Sequence, residues 1–566
     1  MKFNVLVTFI QRITILSVIS CVAFISCKEH KRIAEKEIVK KPAEINKTAK
    51  DVIKESLDDL IADPGNKELP KLKNVLFIKS IYEQNDYEPL WTGNGKWNKS
   101  GDSLYALIDS ARYFGLFPKD YYATELDSLR KRLLFDTSAK EDKLDAVLWA
   151  KTDLFLSDAF IQVTKDLRNG RILRDTTSLR KDTALTDSFF NHQLQTFKNS
   201  SIADFTVAIE PAHKNYLNLK NALKFFLEDS DFSAYTYINS QDSINLKKNT
   251  FNRLLEDSIA FDRTATTDSL RLASAIKIYQ KKKGIKPDGK LTKSIVNRLN
   301  NTDSEKFVRI AITMDRYKQL PAKLPSQHIW VNIPEYYMYL NEEDTVRLKS
   351  RVVVGKPVTS TPVLFSAITD MITYPQWTIP ASIIKKDILP GLKKDPGYTL
   401  KRGFSLVDKD GNVVDPYFVD WTKYETGIPY KVVQGSGDDN ALGVLKFNFS
   451  NKYSVYLHDT NQRYLFSKKD RALSHGCVRV QNWDSLAYFI LRNDSLAGKK
   501  ALPADSLYKW LSLKEKHVIP VRKRIPIFIR YFTCDVKEDQ IVFYDDVYDD
   551  DKRLKEKFFA NKIDRP

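Results

Sequence analysis

Residues 452–480 read KYSVYLHDTNQRYLFSKKDRALSHGCVRV. Two short β-prone runs enclose a polar loop, and they carry His458 and Cys477, nineteen positions apart. Alternation sends Tyr453, Val455 and Leu457 to one face of a strand, and Ser454, Tyr456 and His458 to the other. The loop is long enough to lay the second run beside the first. A sulfur nucleophile needs a thiolate, an imidazole to take its proton, and donors for a developing oxyanion. His458 offers the imidazole, and Asp459 is the nearest group to orient it, through its side chain or its backbone carbonyl. Gly476 permits a tight turn, so the amides of Gly476 and Cys477 are candidate oxyanion donors. Arg471 and Arg479 bring positive charge close to the thiol, which lowers its pKa and could hold a substrate carboxylate. Two other readings compete: Cys477 as a small core hydrophobe, or His458, His475 and Cys477 as zinc ligands. No fourth ligand or Cys-x-x-Cys pattern stands nearby, so no metal is expected.

The rest of the chain sets this pair in context. At about 150 residues per domain, 566 residues suggest three or four domains. The net charge of +18 comes from lysines scattered among acids, with no basic stripe bearing aromatic platforms, so nucleic acid is not an expected partner. An acidic surface such as a cell envelope fits better. Near the N-terminus, Lys2 and Arg12 flank an apolar run, Ile13–Ser26, of secretory length and too short to span a bilayer. It ends in Phe-Ile-Ser-Cys before an abruptly polar stretch. This resembles a bacterial lipoprotein signal over residues 1–27 with lipidation at Cys27, Cys21 being the other fit. The expectation is an exported, periplasmic protein held to a membrane by an N-terminal lipid anchor. Cys477 and Cys534 remain, and an unpaired thiol in an oxidising compartment invites a functional explanation.

Residues 28–70, rich in Lys, Glu, Ala and Asp, read as a flexible tether. Residues 71–250 read as a mainly helical scaffold: Leu104, Leu107, Ile108 and Ala111 form one stripe, and a longer helix runs from about Lys143 to Leu167. Residues 251–305 form a helical module in which Gly284 stops one helix and Thr292 caps the next. A linker is expected at 306–326, and strands from 327 to 500. Within these, 371–437 holds six of the 22 prolines and reads as an irregular insertion. Residues 501–566 read as an extension with a hairpin formed by IPIFIRYFTC and QIVFYDD. The acids Asp545, Asp546 and Asp549–Asp551 read as a solvated turn, and Cys534 as a strand residue without chemistry.

His458-Asp459-Thr460 followed by Ser474-His475-Gly476-Cys477-Val478-Arg479 resembles the active-site signature of the L,D-transpeptidases with a YkuD-type catalytic domain. The likeness extends to VVVGKP (352–357), YPQWTIPASIIKKDILPGLKKDPGY (374–398), VDW (419–421) and LGVLKFNF (442–449), which resemble the family's large periplasmic subgroup. GLFPKDYY (115–122) and DLRNGRI (166–172) are similar to that subgroup's scaffold domain, and 268–300 to a peptidoglycan-binding helical module. The resemblance implies a multidomain α+β fold: a helical N-terminal scaffold, a small peptidoglycan-binding-like module, and a β-rich catalytic domain with a capping insertion at 371–437. It implies Cys477 as nucleophile, His458 as base, His475 and Ser474 in the oxyanion loop, and Arg479 as a brace or carboxylate contact. The implied reaction uses a donor tetrapeptide and an acceptor stem of peptidoglycan, releases D-alanine, forms a 3→3 cross-link, and needs no cofactor. Acylation by carbapenems is also implied. Hydrolysis, exchange, attachment of a protein to the wall, or an inactive wall-binding lipoprotein are the other outcomes compatible with these residues.

Overall fold

A computed structural model describes residues 36–65, 70–173, 185–262, 264, 266–321, 323–343, 345–498 and 502–559. The leader and Cys27 lie outside the described residues. The chain divides into two compact units, the first from residues up to 112, 116–167 and the segment ending at Ile209, the second from 113–115, the segment from Arg168, and Glu210 onward. No described helix is long and apolar enough to cross a membrane.

The first unit is helical, as its periodicity predicts. Its axis is Ala146–Asn169, and Asn98 caps Lys99–Asp109 by accepting from the Gly101 N–H. The buried carboxylate of Asp153 organises the neighbouring loop, accepting from the backbone N–H groups of Leu90 (2.8 Å), Trp91 (3.0 Å) and Thr92 (2.9 Å) and from Thr92 Oγ1 (2.7 Å). A buried charge survives folding when its lone pairs are filled in this way. The expected tether is corrected here. Ile45–Ala62 is a helix that buries Ile45, Ala49, Val52, Ile53, Ser56, Leu57 and Leu60. That spacing of three and four is an amphipathic stripe, which the high charge of the segment obscured.

In the second unit, Leu246–Glu256, Asp268–Lys282 and Lys293–Leu299 enclose a small core of Leu272, Ala275, Ile276, Tyr279, Ile295, Val296 and Leu299. Thr267 and Thr292 cap the last two helices through their hydroxyls. The expected linker at 306–326 is largely a helix, Asp303–Lys318, burying Phe307, Val308, Ile310, Ala311, Ile312 and Met314. Its Arg316 binds Asp551 (2.6 Å) and Asp550 (2.7 Å) at the start of the helix Asp550–Phe558. Those two acids are therefore paired, and Asp551 is buried; they are not part of a solvated turn.

The β-domain is a mixed sheet whose strand path returns on itself. In order, Leu445–Phe449 pairs Leu457–His458, then Val478–Val480, Thr345–Gly355, Tyr337–Glu342, Gln327–Asn332, Pro526–Arg530 and Leu364–Thr373, which pairs Leu445–Phe449 again. Inward residues including Ile329, Val331, Met338, Val352, Val354, Met371, Phe447, Leu457, Val478 and Ile527 form the core. Closure leaves few exposed edges and a stiff wall on which to mount a site.

Two expectations fail at this level. IPIFIRYFTC meets QIVFYDD only at its last residue: Pro526–Arg530 lies parallel to Gln327–Asn332 inside the barrel, and the hairpin is Cys534–Lys537 with Gln540–Phe543. The catalytic fold thus runs past 500. The Pro-rich insertion is not irregular either. Between Thr373 and Leu445 stands a four-stranded sheet of Trp377–Thr378, Lys431–Gln434, Phe404–Val407 and Val413–Val414. It has its own core of Ile379, Ile384, Ile388, Leu392, Leu406, Trp421 and Val432.

Candidate active site

The sheet register brings the site together. Leu457 pairs with Val478 and His458 with Arg479 in parallel, while Lys446 faces His458 from the antiparallel neighbour. Only Leu457–His458 is regular strand, shorter than alternation predicts, because Ser454 adopts φ 56° and breaks the run before it. Tyr456 and His458 nevertheless share a side, their ring centroids 5.6 Å apart.

His458 is buried, and its Nδ1–H donates to the backbone carbonyl of Asp459. That choice fixes the tautomer with Nε2 as the unprotonated nitrogen. Burial, with Arg479 and Lys446 adding repulsion, holds its pKa down to about 3, so the imidazole is neutral at physiological pH. The Asp459 carboxylate orients not the histidine but the loops around it, accepting from the Val444 N–H (3.1 Å) and Arg463 (2.9 Å). Gly443, at φ 62°, makes room for it: a Cβ there would lie 2.3 Å from Asp459 Oδ2.

Cys477 is half-buried and free, as is the buried Cys534. Burial pushes the Cys477 thiol up, while the backbone N–H and hydroxyl of Tyr456, then the charges of Lys446 and Arg479, pull it down. At Cys534 the Thr313 hydroxyl and the Arg309 charge do not offset burial, which pushes the thiol up to about 12, consistent with a thiol without chemistry. The turn before Cys477 is pinned by Ser474. Its hydroxyl donates to the Cys477 carbonyl (2.6 Å) and accepts from the Gly476 N–H (3.1 Å). Thr361 Oγ1 holds the Gly476 carbonyl (2.7 Å). Gly476 has φ 124°, a conformation that disfavours side chains, although the space around it is open enough for one. One of the two expected oxyanion donors is therefore engaged: the Gly476 amide serves Ser474, whereas the Cys477 amide donates to no described acceptor.

Arg479 braces the loop after His458, donating to Thr460 Oγ1 (3.2 Å) and Gln462 Oε1 (3.0 Å). Arg471 is corrected as a substrate contact. Its buried guanidinium donates to the carbonyls of Val352 (3.1 Å), Lys468 (3.0 Å) and Tyr336 (2.9 Å), which makes it a tie between strand and loop. His475 is exposed on the turn. Desolvation, followed by Lys356, lowers its pKa, and Lys386 and Asp387 of the insertion lie within electrostatic reach. The insertion also supplies Trp377, whose indole N–H approaches the Tyr456 hydroxyl without forming a full hydrogen bond. Among the described residues no three His, Cys, Asp or Glu side chains converge as metal ligands.

Two site residues escaped sequence reasoning as functional groups, Tyr456 and Lys446. Alternation placed Tyr456 on the His458 face, and that was the available signal; Lys446 is brought in only by register.

The barrel thus carries a neutral histidine and a free cysteine at the ends of neighbouring segments, residue types that can serve nucleophilic catalysis. Residues 326–493 match the family model of the YkuD L,D-transpeptidase catalytic domain, and residues 77–223 match that of the Scaffold domain. A Haemophilus influenzae protein named "Putative L,D-transpeptidase" is 38% identical over 233 residues. The match spans 41% of this chain and 46% of that relative, about half its length. The solved catalytic domain of an E. faecium L,D-transpeptidase acylated by ertapenem shares 14% identity at a TM-score of 0.15, over 37% of this chain and 99% of that one. The avibactam carbamoyl form of Ldtfm shares 11% at 0.14, over 39% and 61%. Superpositions at those scores carry no argument about geometry.

Proposed function

We propose that this protein forms 3→3 peptidoglycan cross-links through an acyl-enzyme on Cys477. The observation that carries the reading is a neutral His458 on one strand and a free thiol in the turn just before the strand that pairs with it. At rest both partners are uncharged. As the sulfur attacks the carbonyl carbon of the third residue of a donor tetrapeptide, its proton passes to His458 Nε2. The growing thiolate and oxyanion then favour the imidazolium that burial alone disfavours. The carbonyl oxygen takes the negative charge facing the Cys477 N–H. Collapse breaks the amide bond, and His458 returns the proton to the departing D-alanine nitrogen, leaving a thioester. A side-chain amine of a second stem then attacks, gives up a proton through His458, and expels the thiol.

The apolar run before Cys27 supports export and lipid anchoring, which would set the enzyme beside the wall; the basic charge suits a polymer rich in carboxylates. The E. faecium relative is acylated by ertapenem, and the same chemistry is proposed for Cys477.

The test is incubation of the protein with purified disaccharide-tetrapeptide, read by mass spectrometry. A dimer lighter by one D-alanine supports cross-linking; tripeptide monomer alone assigns water as the acceptor. Cys477→Ala abolishes both products and also the carbapenem adduct on the peptide containing Cys477. Turnover persisting in that variant refutes the nucleophile.

A further inference from the structure

Lys446 is half-buried and has no ion-pair partner among the described residues. It lies in Leu445–Phe449 directly opposite His458, so both side chains leave the sheet on one face. Its Nζ sits 4.0 Å from the centroid of the Tyr456 ring, and Tyr456 presents its hydroxyl to the Cys477 sulfur. No described carboxylate comes within ion-pair distance of this ammonium. Asp370, the acid within electrostatic reach, is engaged by Asn448 Nδ2 (2.6 Å) and Thr369 Oγ1 (2.8 Å). A desolvated cation resting on an aromatic face is partly stabilised by the ring quadrupole, yet burial still pulls its pKa below that of an ordinary lysine. An anion arriving nearby would relieve that cost.

We propose that Lys446 is the electrostatic partner of the Cys477 thiolate, a cation held by the Tyr456 ring so that its charge falls on the sulfur when the proton leaves. The proposal rests on Cys477 being the nucleophile. Among the other groups facing the sulfur, Arg479 also lowers the thiol, ranking after Lys446, and the rest supply no such charge. His458 is uncharged at rest, and Tyr456 is neutral. Arg479 is tied to Thr460 and Gln462. His475, with Lys356, Lys386 and Asp387 around it, belongs to the turn and the insertion. Lys446 acts on the sulfur through its field and takes no proton from it.

Alkylation by neutral iodoacetamide reads the thiolate without any substrate. The rate at Cys477 would be followed by peptide mass spectrometry from pH 6 to 10 in the full chain, with the buried Cys534 as internal reference. Lys446→Met and Lys446→Gln, two neutral side chains of different shape, shift the Cys477 profile upward by about one pH unit, slowing the neutral-pH rate about tenfold. Lys446→Arg restores it. Superimposable profiles for wild type and both neutral variants overturn the proposal. So does failure of Lys446→Arg to rescue, which would make packing the cause. An unmoved profile with a raised KM for the donor peptide also overturns it, assigning the ammonium to a substrate carboxylate. If wild type makes no peptidoglycan product while the profiles shift as stated, the proposed function fails and Lys446 keeps its role.

Discussion

Removing the Ser474 hydroxyl is the sharpest perturbation of the nucleophile turn. In Ser474→Ala the Cys477 carbonyl loses its 2.6 Å donor and the Gly476 N–H its 3.1 Å acceptor. Ser474 and Gly476 are both buried, so water does not readily replace either bond. An unmet buried polar group costs about 1–3 kcal/mol. The Cys477 carbonyl sits on a half-buried residue and recovers part of its loss, which leaves about 2 kcal/mol in total. The melting midpoint of the transition containing the barrel should then fall by ~4–8 °C. If the turn relaxes and the Cys477 amide leaves the oxyanion position, the same 2 kcal/mol appears in the barrier as roughly a 30-fold loss of kcat/KM. Calorimetry and single-turnover acylation by a carbapenem give the two readouts. Ser474→Ala with unchanged melting and acylation within twofold of wild type would refute the view that this hydroxyl sets the turn.

Other outcomes follow from the same geometry. Gly443→Ala should lower kcat more than tenfold with a smaller change in KM, since the methyl group displaces Asp459 and with it the carbonyl that orients His458. Gly403→Ala is the control, because Gly403 has a similar φ of 69° and nothing within 4 Å of a Cβ; equal losses in the two variants would show that backbone strain alone is responsible. The pH dependence of stability has a definite sign at His458. Between the ordinary imidazole range and about pH 3 the unfolded chain binds a proton that the folded chain refuses, so stability present at neutral pH is lost as the pH falls through that window. Melting scans of His458→Gln should show a shallower acid slope than wild type, and an unchanged slope would contradict the assignment.

Much of this was legible along the chain. The helix cap at Thr292 followed from hydroxyl chemistry three residues before a backbone donor. The stripe Leu104, Leu107, Ile108 and Ala111 is fully buried. The residues His458 and Cys477 were identifiable because a strand-borne imidazole and a cysteine after glycine are rare in this composition. The stretch 45–62 was misread because its charge outweighed a valid helical stripe. The segment 526–530 was misassigned because local pattern marks a strand without naming its partner.

The sequence by itself determined which residues could do chemistry and which face of each element is apolar, because side-chain type and periodicity are local properties. Tertiary structure alone decided how those residues act. It selected the Asp459 backbone carbonyl over the carboxylate as the partner of His458, engaged the Gly476 amide with Ser474, and tied Arg471 to three carbonyls. It also carried Lys446 across the sheet to face His458. Each of these depends on register between strands distant in sequence, where one residue of slip reverses the face of every side chain.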